Sequence, residues 1–406
     1  MECKMKAIVD EIKPEVLQMR RFLHQYPELS NQEQETSRFI QAKLQQYGIT
    51  YQAGFAKHGV LGIIKGGSAG KTVALRADMD ALPIQELTDL PFASQHKNIM
   101  HACGHDAHMA MLLGAGYVLQ QLREKINGTV LLVFQPAEED APIGGAQVML
   151  QDGVFLKHEP DVIYGLHVWP DLPVGQLGIR DKEMMGASDR FKVTLTGRGG
   201  HASMPHQTND VMVTAAHLIT GFQTIVSRNV DPLEASVVTV SKVHGGEAAN
   251  IIPNQIIMEG SIRSFQPEIR KQMKQRFSAI TKQIAKAFEV QADIKYMDGY
   301  PATINTPKWA AVARETARKI RLSTPDLNPS LAGEDFSRFL EIYPGAFIWL
   351  GTQMEDAEIQ APLHDAHFQL NEQALSIGTA LIVQLAIDTL NKLTQGEKPS
   401  IYTTRN

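Results

Sequence analysis

Eight consecutive residues concentrate side chains that bind metal ions. The segment His101–His108 (HACGHDAH) holds three of the 14 histidines in the chain and one of its two cysteines. Imidazole nitrogen and thiolate sulfur are ligands of zinc and related transition metals. A structural zinc site is normally closed by cysteine-rich pairs, whereas this segment has a single cysteine. The pattern therefore favours a catalytic site, with Cys103 and His105 as ligands and His101 and His108 as supporting groups.

Other metal-binding side chains lie far away in the sequence, each near the end of an apolar stretch. Asp78 and Asp80 follow one stretch, the pair Glu138–Glu139 follows the next, and His167 ends a third. Open α/β sheets bind ligands at the carboxyl ends of their strands, so these groups are expected to converge there. His364 lies in a loop after a further strand. Carboxylates beside nitrogen and sulfur donors suit a pair of divalent ions that share a bridging hydroxide.

The two adjacent glutamates suggest a division of roles. One carboxylate can bind metal while the other takes a proton from metal-activated water and returns it to a leaving amine. In the alternative interpretation, Glu138–Glu139 is a solvated loop pair. Asp80 is expected to orient a metal-binding histidine, and Asp78 could merely cap a loop.

A later region carries polar groups suited to substrate binding. His201 lies in a glycine-rich turn, and Asn250 precedes the segment Ile251–Pro253. Both could donate to a developing oxyanion, and Arg263 could hold a carboxylate bidentately. Each also fits ordinary turn or strand chemistry. Lys65–Thr72 ends like a phosphate-binding loop, but it lacks the first glycine and precedes a strand, so nucleotide binding is not predicted.

Strands alternating with helices are predicted to position these residues. Residues 8–47 form helices broken at 26–30, and 107–122 form a buried helix. This alternation predicts an α/β fold with a central sheet flanked by helices. The strands are predicted at 59–65, 72–77, 128–134, 161–166 and 346–350, with a closing helix at 372–393.

A compact α+β insert is predicted after about residue 182. Residues 190–196 alternate apolar and polar residues as in a half-buried strand, and residues 267–287 show the pattern of a long amphipathic helix. The predicted domains are a catalytic domain of residues 1–184 and 298–406 and an insert of residues 185–297. The predicted insert elements are strands at 190–196, 235–244, 255–265 and 290–296 and helices at 210–226 and 267–287.

Composition excludes several classes of partner. The length of 406 residues favours two domains, and a net charge of −5 without a basic run gives no case for nucleic acid. Two cysteines predict a reduced compartment rather than a disulfide framework. The start of the chain lacks the apolar core of a signal peptide, and no apolar run has membrane-spanning length. We therefore expect a cytoplasmic protein that does not bind a membrane.

Together, the motifs identify a resemblance to the aminoacylase and carboxypeptidase superfamily of dinuclear metallopeptidases. The amidohydrolase branch, with hippurate hydrolases, N-acyl-amino-acid deacetylases and auxin-conjugate hydrolases, is the most similar. The resemblance spans nearly the whole chain and rests on the segments Arg76–Pro83, Met100–Asp106, Gln135–Glu139, Gly165–His167, Gly199–Ser203, Asn250–Pro253, Gly333–Phe336 and Leu363–His364.

The resemblance implies a zinc-peptidase-like catalytic domain that binds two divalent ions (manganese, zinc or cobalt). The implied metal ligands are Cys103, His105, Glu139, His167 and His364. Many relatives continue the last motif as His-Ser-Pro or His-Asn-Pro, whereas this chain reads His-Asp-Ala-His, so His367 is an alternative to His364.

The resemblance also implies the roles of the remaining residues. Glu138 is the general base and acid, and Asp80 assists catalysis by orienting a ligand. The insert is a ferredoxin-like lid that forms a homodimer or a higher homo-oligomer, with hinges near residues 185 and 298. Its His201 reaches the active site across the dimer, while Asn250 and Arg263 bind the oxyanion and carboxylate of the substrate.

The predicted activity is hydrolysis of the amide bond of N-acyl amino acids, with N-acetyl as the expected acyl group. Metal-activated water would attack the carbonyl, with Glu138 moving the proton. A carboxypeptidase or dipeptidase on the same scaffold is the first alternative. A metal-binding protein without turnover is the second.

Overall fold

The computed structural model describes residues 2–355 and 360–394. Its α-helices are α1 (Glu2–Gln25), α2 (Gln34–Gln46), α3 (His105–Leu122), α4 (Gly145–Gln151), α5 (Val211–Asn229), α6 (Pro267–Ala287), α7 (Pro307–Lys319), α8 (Ser337–Leu340) and α9 (Gln373–Thr394). Its strands are β1 (Thr50–Phe55), β2 (Gly59–Lys65), β3 (Ser68–Asp78), β4 (Asn127–Gln135), β5 (Val162–Trp169), β6 (Leu177–Gly178), β7 (Glu183–Met185), β8 (Ala187–Thr196), β9 (Gly200–His201), β10 (Ser236–His244), β11 (Ile251–Ile252), β12 (Gln255–Ser264), β13 (Gln291–Tyr300), β14 (Thr303–Ile304) and β15 (Gly345–Gly351).

The chain divides into two compact units. The first, called the catalytic unit, contains residues 1–184, 304–328 and 335–406. The second, called the insert unit, contains residues 185–303 and 329–334.

A mixed sheet of seven strands forms the centre of the catalytic unit, in the order β1-β2-β4-β3-β5-β15-β6. The inner strands β4, β3, β5 and β15 run parallel, so their carboxyl ends share one edge. In β4, Val130–Phe134 is a continuous buried apolar run, as expected for a parallel strand covered on both faces. The predicted sheet flanked by helices is confirmed.

Three long helices complete the core of this unit. Helices α1, α3 and α9 pack against one another, and α9 also contacts β3 and β4. Among the described residues, α9 alone is long and apolar enough to span a membrane, yet 67% of its most apolar window is buried. That burial is typical of a core helix in a globular protein.

The secondary structure differs from the sequence predictions in three respects. Strand β5 continues through His167 to Trp169, so this histidine projects from the strand rather than following it. Strand β1 and helix α7 were not predicted, because no residue of β1 is buried and three of the six buried residues of α7 are alanine. Strand β3 begins at Ser68, four residues before its predicted start at residue 72.

The insert unit contains an antiparallel sheet in the order β10-β12-β8-β13, with α5 and α6 packed together and against it. Alternate residues of β12 are buried, which places one face of the strand on the helices. Asp210 caps α5 by accepting hydrogen bonds from the N–H groups of Met212 and Val213. The rings of Phe191, Phe222 and Phe277 meet in the core.

A buried carboxylate joins three elements of the insert unit. Asp189 on β8 is 1% exposed and accepts two hydrogen bonds from Arg270 on α6, at 2.5 and 3.1 Å. It also accepts the hydroxyl of Tyr296 and the N–H of Gly299 on β13. Burial alone would raise the pKa of Asp189, but Arg270 and these donors hold that pKa below its usual value.

We predict that Asp189→Asn lowers the free energy of unfolding of the insert unit by about 2–3 kcal/mol at pH 7, because a buried charge-assisted network loses its anion. Because the pKa of Asp189 is lower in the folded state than its usual value of 3.8, the ionised carboxylate stabilises the fold at pH values above 3.8. This stabilisation is lost as the pH falls through the pKa of the folded state. The difference between wild type and variant should therefore shrink below about pH 4 in calorimetry.

Glu259→Gln is the matched control, since Glu259 pairs with Lys192 and Lys242 on the exposed face of the same sheet. Its expected cost is below about 1 kcal/mol. An Asp189→Asn penalty no larger than that of the control would contradict the prediction.

Candidate metal site

Polar side chains gather at the carboxyl edge of the large sheet. Asp78 ends β3, the Glu138–Glu139 pair follows β4, and His167 projects from β5. Cys103 and His105 lie at the amino end of α3. Gly104 between them has a φ of 81°, and an added Cβ would lie 2.4 Å from Val168 Cγ2, so this tight turn requires glycine.

Cys103 lies between two histidines. Its Sγ is 3.5 Å from His167 Nε2 and 3.3 Å from His364 Nε2. His364 Nε2 is also 3.1 Å from Glu139 Oε1. His364 has a φ of 66°, uncommon outside glycine, and its N–H donates to Ala102 O at 2.8 Å, which ties the loop to the cluster.

Backbone carbonyls orient two of the histidines. His105 Nδ1 donates to the main-chain oxygen of Asp80 at 2.8 Å, and His167 Nδ1 donates to Val168 O at 2.7 Å. Each bond places the proton on Nδ1 and leaves the Nε2 lone pair for a metal. His105 Nε2 is buried and has no hydrogen-bond partner.

His108 carries its ring proton on the same nitrogen, but its Nε2 lone pair is already used. Its Nε2 accepts the N–H of Val168 at 2.9 Å, so Nδ1 carries the proton and donates to Asp78 Oδ1 at 2.5 Å. Although His108 lies in a group with His105, His167 and Asp78 that is compact enough to hold an ion, its lone pair is occupied. His101 is buried, which lowers its pKa to about 4, and neither of its ring nitrogens has a hydrogen-bond partner.

Asp80 contacts both the loop that carries the two glutamates and the ring of His105. Its carboxylate accepts the N–H of Glu138 at 3.1 Å, the N–H of Glu139 at 2.9 Å and the hydroxyl of Ser30 at 2.6 Å. Its main-chain oxygen holds His105, as described above. Asp80 therefore supports the loop and a histidine, which fits its predicted orienting role better than direct contact with substrate.

Glu138 is only 6% exposed and is held from the opposite side. The N–H of Asp335 lies 3.4 Å from Glu138 Oε1. The Asp335 carboxylate accepts hydrogen bonds from Arg76 and Gln135 and from the N–H of Ala146. Arg76 also pairs with Asp78 at 2.7 Å.

The charges of the site fit a cation. Burial alone would lower the pKa of His105, but Asp78, Asp80 and Glu139 raise it to about 10. Burial and the charges of Glu139 and Glu138 raise the pKa of the Cys103 thiol. A bound divalent ion would reverse both effects, because it favours a neutral imidazole and a thiolate. The unpartnered His105 Nε2 and the mixed sulfur, nitrogen and oxygen donors therefore suit transition-metal binding.

The other predicted site residues belong to the insert unit. His201 is exposed, and its Nδ1 accepts the N–H of Ser203 at 3.1 Å. Asn250 lies next to it, since its main-chain oxygen accepts the N–H of Ala202. Arg263 on β12 is half-buried, and burial together with the charge of Arg190 lowers its pKa.

Three groups that contact the site loops were missed. Ser30 lies in a segment interpreted only as a helix break, and Glu33 carried no interpretation. Asp335 belongs to a recognised motif but had no assigned role. Burial and the charge of Asp80 raise the pKa of Glu33 to about 7. Apart from the motif around Asp335, no local pattern marks these residues, because their contacts are made across the fold.

Several known proteins are similar to this chain over most of its length. Residues 74–388 match the model of peptidase family M20/M25/M40. The N-acetyl-L-cysteine deacetylase of Bacillus subtilis (strain 168) is 44% identical over 367 residues, which cover 90% of this chain and 85% of the relative. Thermostable carboxypeptidase 1 of Saccharolobus solfataricus is 38% identical over 96% of this chain and 99% of the relative.

A solved structure shows the same fold. A dinuclear metal-binding peptidase of the M20 family from Bacillus subtilis superposes with a TM-score of 0.82 at 35% identity. The match covers 94% of this chain and 99% of that protein.

We predict that His364→Ala lowers the metal content of the purified protein while His367→Ala leaves it unchanged. His364 contacts Cys103 and Glu139, whereas His367 is exposed and pairs with Asp365. Elemental analysis after dialysis against trace metal would measure both variants. Equal metal loss in the two variants, or loss in His367→Ala alone, would contradict this placement.

Proposed function

Because this chain belongs to peptidase family M20/M25/M40, we propose that it is a metal-dependent amidohydrolase that cleaves N-acyl amino acids, with N-acetyl as the preferred acyl group. The observation that carries the proposal is the placement of buried Glu138 beside the cluster of Cys103, His105, Glu139, His167 and His364. The deacetylase named among the relatives supports the choice of substrate.

The five clustered residues would hold two divalent ions, consistent with the dinuclear relative. When bound, these ions supply Lewis-acid polarisation of the amide carbonyl and a lowered pKa for water. The thiolate of Cys103 favours zinc or cobalt, whereas the carboxylate also suits manganese, so we propose one of these three.

Glu138 moves the proton in the proposed reaction. Its carboxylate takes one proton from the attacking water as oxygen bonds to the carbonyl carbon, then delivers it to the amide nitrogen as the carbon–nitrogen bond breaks. The second proton of the water passes from the acyl oxygen to the released amine, so the products are a carboxylate and a free amino acid. The low exposure of Glu138 keeps this exchange away from bulk solvent.

The insert unit would supply substrate-binding groups. Because His201 Nδ1 accepts a hydrogen bond from Ser203, the ring proton resides on Nε2 and can be donated to an oxyanion. Asn250 is a second candidate donor. Arg263, half-buried and near Arg190, suits the carboxylate of an amino acid.

We further propose that the insert unit mediates a homodimer. Its sheet ends at β10, an edge strand on which Val237 and Val243 are exposed. Met212 and Val213 on α5 are each 43% exposed, and Ile251, which pairs with His201 across β9 and β11, is 55% exposed. An exposed strand edge with apolar neighbours is a typical protein-binding surface.

A carboxypeptidase activity is the second candidate, because relatives with that name cover nearly the whole chain at 38% identity. Metal-stripped protein should be reloaded separately with manganese, zinc or cobalt. Rates on N-acetyl amino acids, hippurate and dipeptides would then rank the substrates. Faster hydrolysis of peptides than of N-acyl amino acids would favour the second candidate, and inactivity on all of them would favour a non-catalytic metal-binding protein.

We predict that Glu138→Gln lowers kcat by about 10²–10⁴-fold, because the amide cannot accept the proton. Metal content should stay at the wild-type value, since Glu138 is not one of the five proposed ligands. Steady-state kinetics and elemental analysis test both parts, with Glu124→Gln in the exposed turn after α3 as control. A fully active Glu138→Gln protein would refute the assignment.

The dimer is tested by Met212→Lys combined with Val243→Lys, which should halve the mass measured by light scattering. Leu233→Lys, at a position 93% exposed in a loop before β10, is the matched control. If the double variant keeps the wild-type mass, the dimer interface lies elsewhere on the protein. If the wild type is already a monomer, the proposed homodimer does not exist.

A further inference from the structure

The segment that joins α1 to α2 contacts both loops beside the metal site. Ala81, next to Asp80, donates its N–H to the main-chain oxygen of Glu28 at 2.8 Å. Asn31 donates its side-chain amide to Asp140, just after the two site glutamates, at 2.8 Å. The joining segment therefore packs on the loops that follow β3 and β4.

Glu33 has the most direct contact with the loop after β4. Its side chain is fully buried, and Oε1 accepts the N–H of Ala137 at 2.8 Å. Ala137 immediately precedes Glu138 and has a φ of 54°, a left-handed conformation that a non-glycine residue adopts only when its surroundings enforce it. The second oxygen of Glu33, Oε2, is buried without a hydrogen-bond partner.

Three successive N–H groups of this loop are held by two carboxyl groups. Glu33 accepts from Ala137, and Asp80 accepts from Glu138 and Glu139. The direction of the Glu138 side chain depends on this turn, since its main chain is fixed on both sides.

We propose that Glu33 is a positioning residue for Glu138, which it holds in place through the N–H of Ala137. This inference rests on the proposed function, because it takes Glu138 as the general base. A general base must lie within hydrogen-bond reach of the water, and a displacement of about 1 Å can cost about 100-fold in rate.

Two substitutions separate this role from simple packing. Glu33→Met keeps the volume and removes the acceptor, whereas Glu33→Gln keeps an acceptor oxygen. For Glu33→Met we expect kcat to fall by about 10–100-fold with KM within about threefold and metal content unchanged. Glu33→Gln should stay within about threefold of wild type. If Glu33 had a purely structural role, Glu33→Met would lower the stability of the protein without lowering kcat selectively relative to KM.

Hydrogen exchange supplies a readout that does not depend on turnover. In the full-length, metal-stripped protein, Glu33→Met should speed amide exchange in peptides covering residues 136–140, and Glu33→Gln should not. Asp161→Leu is the matched control, because Asp161 accepts the N–H of Thr72 near the opposite end of β3. It should speed exchange near residue 72 and leave kcat unchanged.

Each result decides a separate claim. Unchanged exchange in Glu33→Met refutes the contact, and faster exchange with unchanged kcat refutes the positioning role. A wild type that hydrolyses no N-acyl amino acid refutes the proposed function, while exchange still tests the contact. If Glu33→Met does not fold, Glu33→Asp withdraws the carboxyl group from the N–H of Ala137 and should lower kcat about 3–10-fold; a wild-type kcat in that variant overturns the proposal.

Discussion

Asp78, Asp80 and Glu138 lie within one buried space, and burial in a medium of low dielectric constant penalises each negative charge. Nearby cations and hydrogen-bond donors of the catalytic unit offset the charges of the two aspartates separately. Asp78 is paired with Arg76 and accepts a hydrogen bond from His108. Asp80 is balanced by two main-chain N–H groups and the hydroxyl of Ser30.

These compensations use main-chain atoms as well as side chains, so the site depends on the path of the backbone. Two residues with left-handed φ, Ala137 and His364, lie beside the proposed base and at a proposed ligand. Such conformations persist only where neighbours enforce them. The carboxyl of Glu33 constrains the first of these turns, and the main-chain oxygen of Ala102 constrains the second.

Much of this architecture could be predicted from the sequence. The helix over residues 267–287 and the strand over residues 59–65 have the predicted bounds, because the first has a strong helical periodicity and the second is a continuous apolar run. The density of histidine, cysteine and glutamate residues indicated where the site would form. Proximity to Cys103 and Glu139 distinguishes His364 from the nearby His367, and no local pattern encodes that proximity.

Other features depend on tertiary contacts that the sequence does not display. His105 and His108, one helical turn apart, both carry the proton on Nδ1, but the Nε2 of His108 accepts the N–H of Val168 whereas that of His105 has no hydrogen-bond partner. Glu33 and Ser30 have ordinary local surroundings, and their roles arise from loops more than 45 residues away along the chain. Strand β1 was missed because none of its residues is buried and they show no apolar alternation.

The position of α9 has a consequence for synthesis of the protein. This helix packs against α1 and α3, yet it follows them in the chain by about 250 residues or more. On the ribosome, the apolar faces of α1 and α3 are made long before their partner, while the insert unit, whose chain is nearly continuous, can fold in between. The nascent catalytic unit must therefore remain an incomplete core, available to chaperones, until α9 emerges.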